Sequence, residues 1–440
     1  MSDSPIAAVV LAAGLGTRMK SSVAKHLHPL LGRRMVDWVI GAARDAGADP
    51  IVVVASPTTA ADFEGAEVAV QQTPLGTGDA ARAAREALEG RSEHVLVLAG
   101  DAVLLTAEML RDLMTVHRES AAAATVLGIE YPDARHYGRL VRGGDGSLLR
   151  IVEARDASEA ELEIREANSA IYVFRADALW PRLDELEPHN AQGELYLTDT
   201  IGLLVEAGEK VAVHIVSEAF EAGVNTRAEL AEAAAVLRDR INLAHMLAGV
   251  TIVDPASTWI EPDVEIEADT TIHPFTLLRG RTHVATGAEI LSHSVILDSE
   301  IGSGALVGPF CYLRPGTVLE AESKAGTFVE IKNSRIGPRA KVPHQSYIGD
   351  AEVGEGSNVG AGAITANFPH KPGEPKGRTL IGKNVRTGIH NAFVAPVEIG
   401  DGAWIAAGSV ITQDVPADAL AVARARQENK EGYAARQRER

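Results

Sequence analysis

An α/β domain with a mostly parallel sheet, followed by a parallel β-helix, is the fold that this 440-residue sequence predicts. Two periodicities carry that expectation. Up to about residue 228, short apolar runs alternate with amphipathic ones. Beyond residue 250, aliphatic residues return at every sixth position.

In the first half, IAAVVLAA (6–13) reads as a buried strand and MVDWVIGAARDAG (35–47) as a helix. PIVVVAS (50–56), GDAARAAREALEG (78–90) and HVLVLAGD (94–101) continue as strand, helix and strand. Buried strands spaced by amphipathic helices make βα units, whose sheet is mostly parallel and binds ligands outside the carboxyl ends of its strands. The loops after VVLAA and VLVLA are therefore the places to look. ELAEAAAVLRDRINLAHMLAG (229–249) reads as one long helix ending at Gly249, a connector between a domain of residues 1–228 and one of residues 250–440.

In the second half Ile260, Ile266, Ile272, Leu278, Val284, Ile290 and Ile296 stand six apart. Small or β-branched residues follow four positions later: Val264, Thr270, Thr276, Thr282, Ala288 and Ser294. The register slips by one at Ile301, resumes at Val307, Leu313 and Leu319, and returns as Ile399, Ile405 and Ile411. Six is the period of hexapeptide repeats, in which each repeat forms one short face of a parallel β-helix. The aliphatic residue stacks inward and the small one fits the corner.

The net charge of −18 argues against a nucleic-acid surface, which needs clustered Lys and Arg. The absence of a long apolar run and of a basic amino-terminal region leads us to expect neither a membrane span nor a signal peptide, hence a cytoplasmic protein. The one cysteine, Cys311, excludes an internal disulfide. The tail RARQENKEGYAARQRER is locally basic, with six Arg or Lys against three Glu. It reads either as a solvated tail or as a contact for phosphates.

LAAGLGTRM (11–19) ends the first strand in two closely spaced glycines, followed by Arg18 and, further on, Lys25. Such a turn can aim backbone N–H groups at an anion, because a Cβ would block the approach. The Walker A pattern fails for want of Gly-Lys-Ser/Thr, and the dinucleotide pattern fails at Met19. Taken alone the turn fits a plain loop as well as a phosphate cradle.

Its surroundings decide more. LAAGLGTRM, the lysine before LHPL, PLGTGDAARAA (74–84), LAGD (98–101), YGRLV (137–141), AQGELYLTD (191–199) and GVNTR (223–227) resemble sugar-nucleotide pyrophosphorylases. Joined to hexapeptide repeats, they resemble the bacterial family of bifunctional N-acetylglucosamine-1-phosphate uridylyltransferase / glucosamine-1-phosphate N-acetyltransferase. The resemblance implies a Rossmann-like nucleotidyltransferase domain followed by a left-handed parallel β-helix of hexapeptide repeats, assembled as a homotrimer. It implies acetyl transfer from acetyl-CoA to glucosamine-1-phosphate. Uridylyl transfer from UTP to N-acetylglucosamine-1-phosphate then follows with Mg²⁺.

A sugar phosphate with a second pKa of about 6 is already ionised near neutrality, so uridylyl transfer needs charge neutralisation and in-line geometry rather than a base. By resemblance the loop from Leu11 to Gly16, with Ala12, Ala13 and Gly14, wraps the nucleotide. Arg18 then holds the departing pyrophosphate and Lys25 bridges phosphate oxygens. Gln71, Gly76 and Thr77 recognise uracil, and Asp101 and Asn225 hold the metal. Gly138, Glu153, Asn168 and Asn225 contact the sugar, with Tyr196 and Thr198 beside them.

Acetyl transfer to an amine needs a base, for which histidine is suited. By resemblance His344 is that base, and Arg314 and Lys332 grip the 1-phosphate. Tyr347 and Asn358 contact the sugar, and Glu330 orients base or substrate. Ala361, Asn367, Phe368, Ile389, Ala407 and Arg424 line acetyl-CoA, and Lys376 comes from a Pro/Gly-rich loop leaving the β-helix. The chain departs from the family pattern at several points. Asp79 replaces a histidine, Ala170 a glycine, Phe368 a tyrosine and Ile389 a serine, and GDAVLL stands for the usual Gly-Asp-Val-Pro. Two other readings remain: a pyrophosphorylase whose β-helix serves only assembly, and a non-catalytic regulator of the same build.

Overall fold

The computed structural model describes residues 6–438, except 15, 64, 132, 135, 217–222, 370 and 372. It divides into two compact units, Met1–Leu237 and Arg238–Arg440. The division falls within a 21-residue helix, Arg227–Leu247.

The first unit is built on β1 (Ile6–Leu11), α1 (Met35–Asp45), β2 (Ile51–Ala55), β3 (Glu67–Val70), α2 (Thr77–Ala83), β4 (His94–Ala99), α3 (Ala107–Ser120) and β5 (Ala124–Glu130). It continues with β6 (Arg139–Arg142), β7 (Leu148–Val152), β8 (Glu166–Arg175), α4 (Ala176–Asp184), α5 (Asp199–Glu206) and β9 (Val211–Val216). The strand order is β9-β5-β8-β4-β1-β2-β3, with β6 pairing β8 and β7. β1 pairs in parallel with both β2 and β4, whereas β8 runs antiparallel to its neighbours β4 and β5.

Alternation along each strand feeds two cores. Ala8, Val10, Val53, Leu96 and Leu98 meet α1 and α3 on one face. Ala7, Val9, Val52, Val54 and Val97 meet α2, α4 and α5 on the other. Covered on both faces, these strands have no polar side, which is why they read as continuous apolar runs. The order reverses at β1, since β2 and β3 lie to one side and β4 to the other. That reversal opens a crevice at the carboxyl ends of β1 and β4.

Among the described residues of the second unit every strand pair is parallel, and from Thr251 to Val353 each strand pairs with the third one on. Three strands therefore make one coil of a parallel β-helix, of the left-handed hexapeptide kind. Ile260, Leu278, Ile296, Leu313, Ile331 and Ile348 form one inward column by direct register. Ile266, Val284, Ile301, Leu319, Ile336 and Val353 form another. These columns fill a single apolar core.

The small residues of each repeat have a chemical task as well as a steric one. The Thr276, Thr282 and Ser294 hydroxyls donate to carbonyls three residues back, at His273 (2.8 Å), Arg279 (2.7 Å) and Leu291 (2.8 Å). Each corner thereby satisfies a carbonyl that the short strands leave unpaired. The slip at Ile301 is a corner shortened by one residue at Asp298, with pairing resumed from Val284 to Ile301. The chain leaves the coil after Ala366 and re-enters it at Thr379 in the neighbouring sheet, opposite Ala351. Among the described residues no helix is long and apolar enough to cross a membrane.

Candidate active sites

The carboxyl ends of β1 and β4 lie side by side, with the Gly100 N–H donating to the Leu11 carbonyl at 3.0 Å. Ala12 and Ala13 are buried at the start of the loop and Gly14 is exposed. Leu15 lies outside the described residues. The two glycines have different tasks. A Cβ on Gly14 would meet nothing nearer than 3.8 Å, so its backbone faces open space. Gly16 has φ +59° and a Cβ there would lie 2.4 Å from Lys25 Cβ. The second glycine thus lets Lys25 fold against the loop.

Four predicted residues converge here. Lys25, 8% exposed, donates from Nζ to Asp101 Oδ2 and to Asn225 Oδ1, the latter at 2.7 Å. Arg18 reaches the same Asn225 oxygen from Nη2 at 2.8 Å. The buried Met19 anchors the short turn that carries Arg18. Burial pushes the Asp101 carboxyl up, but the Lys25 and His26 charges and the Lys25 hydrogen bond outweigh it, leaving the group below the ordinary carboxylate range. The adjacent His26 is pushed down to about 4 by burial and by Lys25, against the pull of Asp101. It is therefore neutral near pH 7.

Sequence reasoning missed what holds Asn225. Glu229 accepts from the Asn225 N–H at 2.5 Å and the Thr226 N–H at 3.1 Å, and its own N–H donates to Thr226 Oγ1. This is a capping box, legible in advance as Thr226-x-x-Glu229. A Cβ on Gly223 would lie 3.1 Å from the Asp101 carboxylate, so the same turn packs directly on that side chain.

On the β3 side, Gln71 is buried and its Nε2 donates to Gly76 O (3.0 Å) and Asp79 Oδ2 (2.9 Å). The turn before α2 is sewn to residues 195–197. Leu195 N donates to Leu75 O (2.7 Å), Gly78 N to Leu195 O (2.8 Å) and Leu197 N to Thr77 Oγ1 (3.0 Å). The same segment continues to Thr198, whose hydroxyl donates to Glu153 Oε1 at 3.1 Å. Burial raises the Glu153 carboxyl above its usual value, against that bond. Glu153, Tyr196, Thr198 and Asp199 line a cavity of about 440 Å³.

Gly138 and Asn168 meet through the Asn168 N–H and the Gly138 carbonyl, 2.8 Å apart. Both ends of the Asn168 amide are engaged within the protein, Nδ2 on Tyr172 Oη (2.7 Å) and Oδ1 on the Ala170 N–H (3.2 Å). The Ala170 departure has a backbone meaning. Its φ is +59°, at a register shift between β8 and β5. Glycine takes that conformation without strain, whereas alanine does not.

In the second unit the predicted residues lie on two sides of one corner. Register pairs Thr327 with His344, Lys341 with Asn358, Asn358 with Arg386 and Arg386 with Trp404. Carried on by three residues, it sets His344, Ala361, Ile389 and Ala407 on successive coils in one column. Rungs of a β-ladder stand about 4.8 Å apart, so the column runs about 14 Å. Arg424 continues it, its Cδ 3.8 Å from where a Gly408 Cβ would be. The His344 ring is exposed and makes no hydrogen bond among the described residues.

Across the corner, Tyr312, Glu330, Tyr347 and Ile364 form a column, and Lys332 pairs with Gly349 in the next row. Arg314 Nη1 donates to Glu330 Oε1 at 2.8 Å, so Glu330 serves the arginine rather than His344. Lys332 lies beside Lys376, whose ammonium lowers its pKa. The Tyr347 ring folds over Gly349, where a Cβ would lie 2.3 Å from Oη. Asn367 donates to the buried Asp350, which also accepts from Asn333 Nδ2 at 2.6 Å. Phe368 and Ile389 are 76% and 52% exposed, so neither substitution is a packing change within the core.

Among the described residues no group of three or more His, Cys, Asp or Glu is arranged to hold a metal ion. A donor set of one carboxylate and one amide, completed by phosphate oxygens, is the alternative that hard cations use.

Residues 8–196 match the family model of the MobA-like NTP transferase domain. The chain is 47% identical to the "Bifunctional protein GlmU" of Brevibacillus brevis, over 98% of this chain and 97% of that protein. It is 46% identical to the protein of that name from Streptomyces avermitilis, over 99% and 95%. For the Mycobacterium tuberculosis protein the identity is 45%, over 98% and 92%.

Proposed function

We infer the activity of this chain from its lineage: it belongs to the bifunctional GlmU family, and it makes UDP-N-acetylglucosamine by acetyl transfer followed by uridylyl transfer. The observation that carries the uridylyl half is the convergence of Arg18, Lys25, Asp101 and Asn225 at the strand-order reversal.

In uridylyl transfer a phosphate oxygen of N-acetylglucosamine-1-phosphate attacks the α-phosphorus of UTP, and the bond to the β-phosphate oxygen breaks. Lys25 and Arg18 turn from Asn225 and Asp101 to the triphosphate, Lys25 bridging its oxygens and Arg18 holding the pyrophosphate that leaves. The loop Leu11–Gly14 encloses the nucleotide, and Gln71, Gly76 and Thr77 read the base. Glu153, Asn168, Gly138 and Thr198 line the sugar side. Asp101 Oδ2 and Asn225 Oδ1 already converge on one cation, the Lys25 ammonium, which supports their sharing Mg²⁺. When bound there, Mg²⁺ neutralises phosphate charge.

In acetyl transfer the amine of glucosamine-1-phosphate attacks the thioester carbonyl, and the C–S bond breaks. His344 takes the amine proton, which passes to the departing thiolate. Arg314, Lys332 and Lys376 bind the 1-phosphate, with Tyr347 and Asn358 on the sugar. Ala361, Asn367, Phe368, Ile389 and Ala407 line the acetyl-CoA arm, and Arg424 meets its phosphates. Assembly as a homotrimer is supported by a stacked, exposed ladder of Phe275, His293, Phe310 and Phe328 along the corner that leads to His344.

The test is two incubations with Mg²⁺ and UTP. One contains glucosamine-1-phosphate and acetyl-CoA, the other N-acetylglucosamine-1-phosphate alone. UDP-N-acetylglucosamine in both establishes the two steps. Product only in the second leaves a uridylyltransferase with a β-helix used for assembly. Product in neither overturns the reading.

A further inference from the structure

An amide side chain offers two faces to a nucleobase, a carbonyl acceptor or an NH₂ donor, and a site that selects one base must fix which is shown. Gln71 stands just beyond β3, its N–H on the Ala55 carbonyl at 2.9 Å, next to the strand that flanks the nucleotide loop. Its Nε2 is committed twice, to Gly76 O at 3.0 Å and to Asp79 Oδ2 at 2.9 Å. Two acceptors on one end settle the orientation, because the carbonyl end would be repelled by both. Among the described residues the Oε1 atom has no partner, and it is not one of the fully buried atoms that lack one, so solvent reaches it.

Beside it is a donor. Among the described residues the Gly76 N–H has no partner. It belongs to the peptide whose carbonyl, Leu75 O, accepts from Leu195 N at 2.7 Å. A trans peptide sends its N–H the opposite way, away from residue 195. The conformation is available only to glycine, since φ is +125° and a Cβ would lie 2.5 Å from Leu195 O. The edge thus presents an acceptor beside a donor. Uracil answers it with N3–H beside a carbonyl, whereas cytosine held in the same place sets an acceptor, N3, against Oε1.

Resting on the uridylyltransferase reading, we propose that Asp79 is a positioning residue for base selectivity: its carboxylate holds the Gln71 amide with the carbonyl toward the base. Asp79 also accepts from Arg82 Nη2 at 2.7 Å, but through its other oxygen, so the two contacts are separate. It is the charged member of the pair of acceptors on Gln71, and charge-assisted hydrogen bonds are the stronger ones. This is the position where the resembling family carries histidine.

The experiment compares UTP with CTP in the full-length protein, by kcat/KM in the presence of N-acetylglucosamine-1-phosphate and by calorimetric Kd without it. Asp79→Leu, which cannot accept, should lower the UTP/CTP ratio by about tenfold, the size of one hydrogen bond to a charged group. Asp79→Asn keeps an acceptor and should hold the ratio within about threefold of the parent. Arg82→Ala leaves the Gln71 contact intact and should not move it. An unchanged ratio in Asp79→Leu overturns the proposal, as does an equal fall in Asp79→Leu and Arg82→Ala. A protein that binds UTP selectively but never turns it over refutes the uridylyltransferase reading instead, and the Kd ratios still decide the role of Asp79.

Discussion

Gly349→Ala adds one methyl group where Tyr347 lies. The new Cβ would stand 2.3 Å from Tyr347 Oη and 2.6 Å from Cζ, well inside contact distance. Those atoms are the far end of a flexible side chain, so the ring swings out and the coil stays put. Relief by a half-exposed ring puts the stability cost at the low end for overpacking, about 1 kcal/mol. The functional cost falls on the sugar contact. The hydroxyl leaves the row that holds Lys332, opposite Gly349 in register. A neutral hydrogen bond contributes about 0.5–1.5 kcal/mol, so the glucosamine-1-phosphate KM should rise by about two- to tenfold. The assay follows CoA thiol release against glucosamine-1-phosphate concentration, with uridylyl transfer measured on the same sample. Tyr347→Phe should give a similar rise. The double variant should then be no worse than either single one, because both remove the same contact. An unchanged KM in Gly349→Ala, or additive losses, would refute the reasoning. Equal loss of uridylyl transfer would show that the chain had misfolded.

Asp101→Ala should lower uridylyl transfer by about a thousandfold and spare acetyl transfer, and His344→Ala should do the converse by about a hundredfold or more; loss of both activities in either variant would end the case for separate sites. Ala170→Gly removes a left-handed alanine and should stabilise the first unit by about 1 kcal/mol, read as a raised denaturation midpoint; a lower midpoint would contradict the strain. The His117 imidazole is pushed down to about 4 by burial, by His94 beside it and by nearby arginines, against about 6.5 in the unfolded chain. The unfolded state binds the extra proton between those values, so this contribution to stability is full above about pH 6.5 and is lost as pH falls toward about 4. His117→Gln should flatten the midpoint-versus-pH slope in that window, leaving a residue from His26, which is lowered in the same way. A slope identical to the parent's would remove His117 from the account.

Much of the architecture was legible because it is periodic. Ile260 through Ile296 stack inward since a six-residue repeat brings the same position to the same side of every coil. The buried strands of the first unit betrayed themselves by having no polar side. Glu229 was also legible, since Thr226 and Glu229 stand at capping-box spacing. The sequence by itself thus determined both folds, the glycine turn with its two cations, and the donors beside it.

Tertiary structure alone decided how those groups meet. Lys25, Asp101 and Asn225 are separated by 76 and 200 residues of chain, and only the strand-order reversal brings them to one point. His344, Ala361, Ile389 and Ala407 have unequal spacings, because a loop leaves the coil between Ala366 and Thr379, yet register sets them in one column. The direction of the Gln71 amide depends on an acceptor that α2 supplies at Asp79. Local pattern encodes which face a residue takes, while contacts between distant segments depend on how whole elements pack, and no window of sequence contains that.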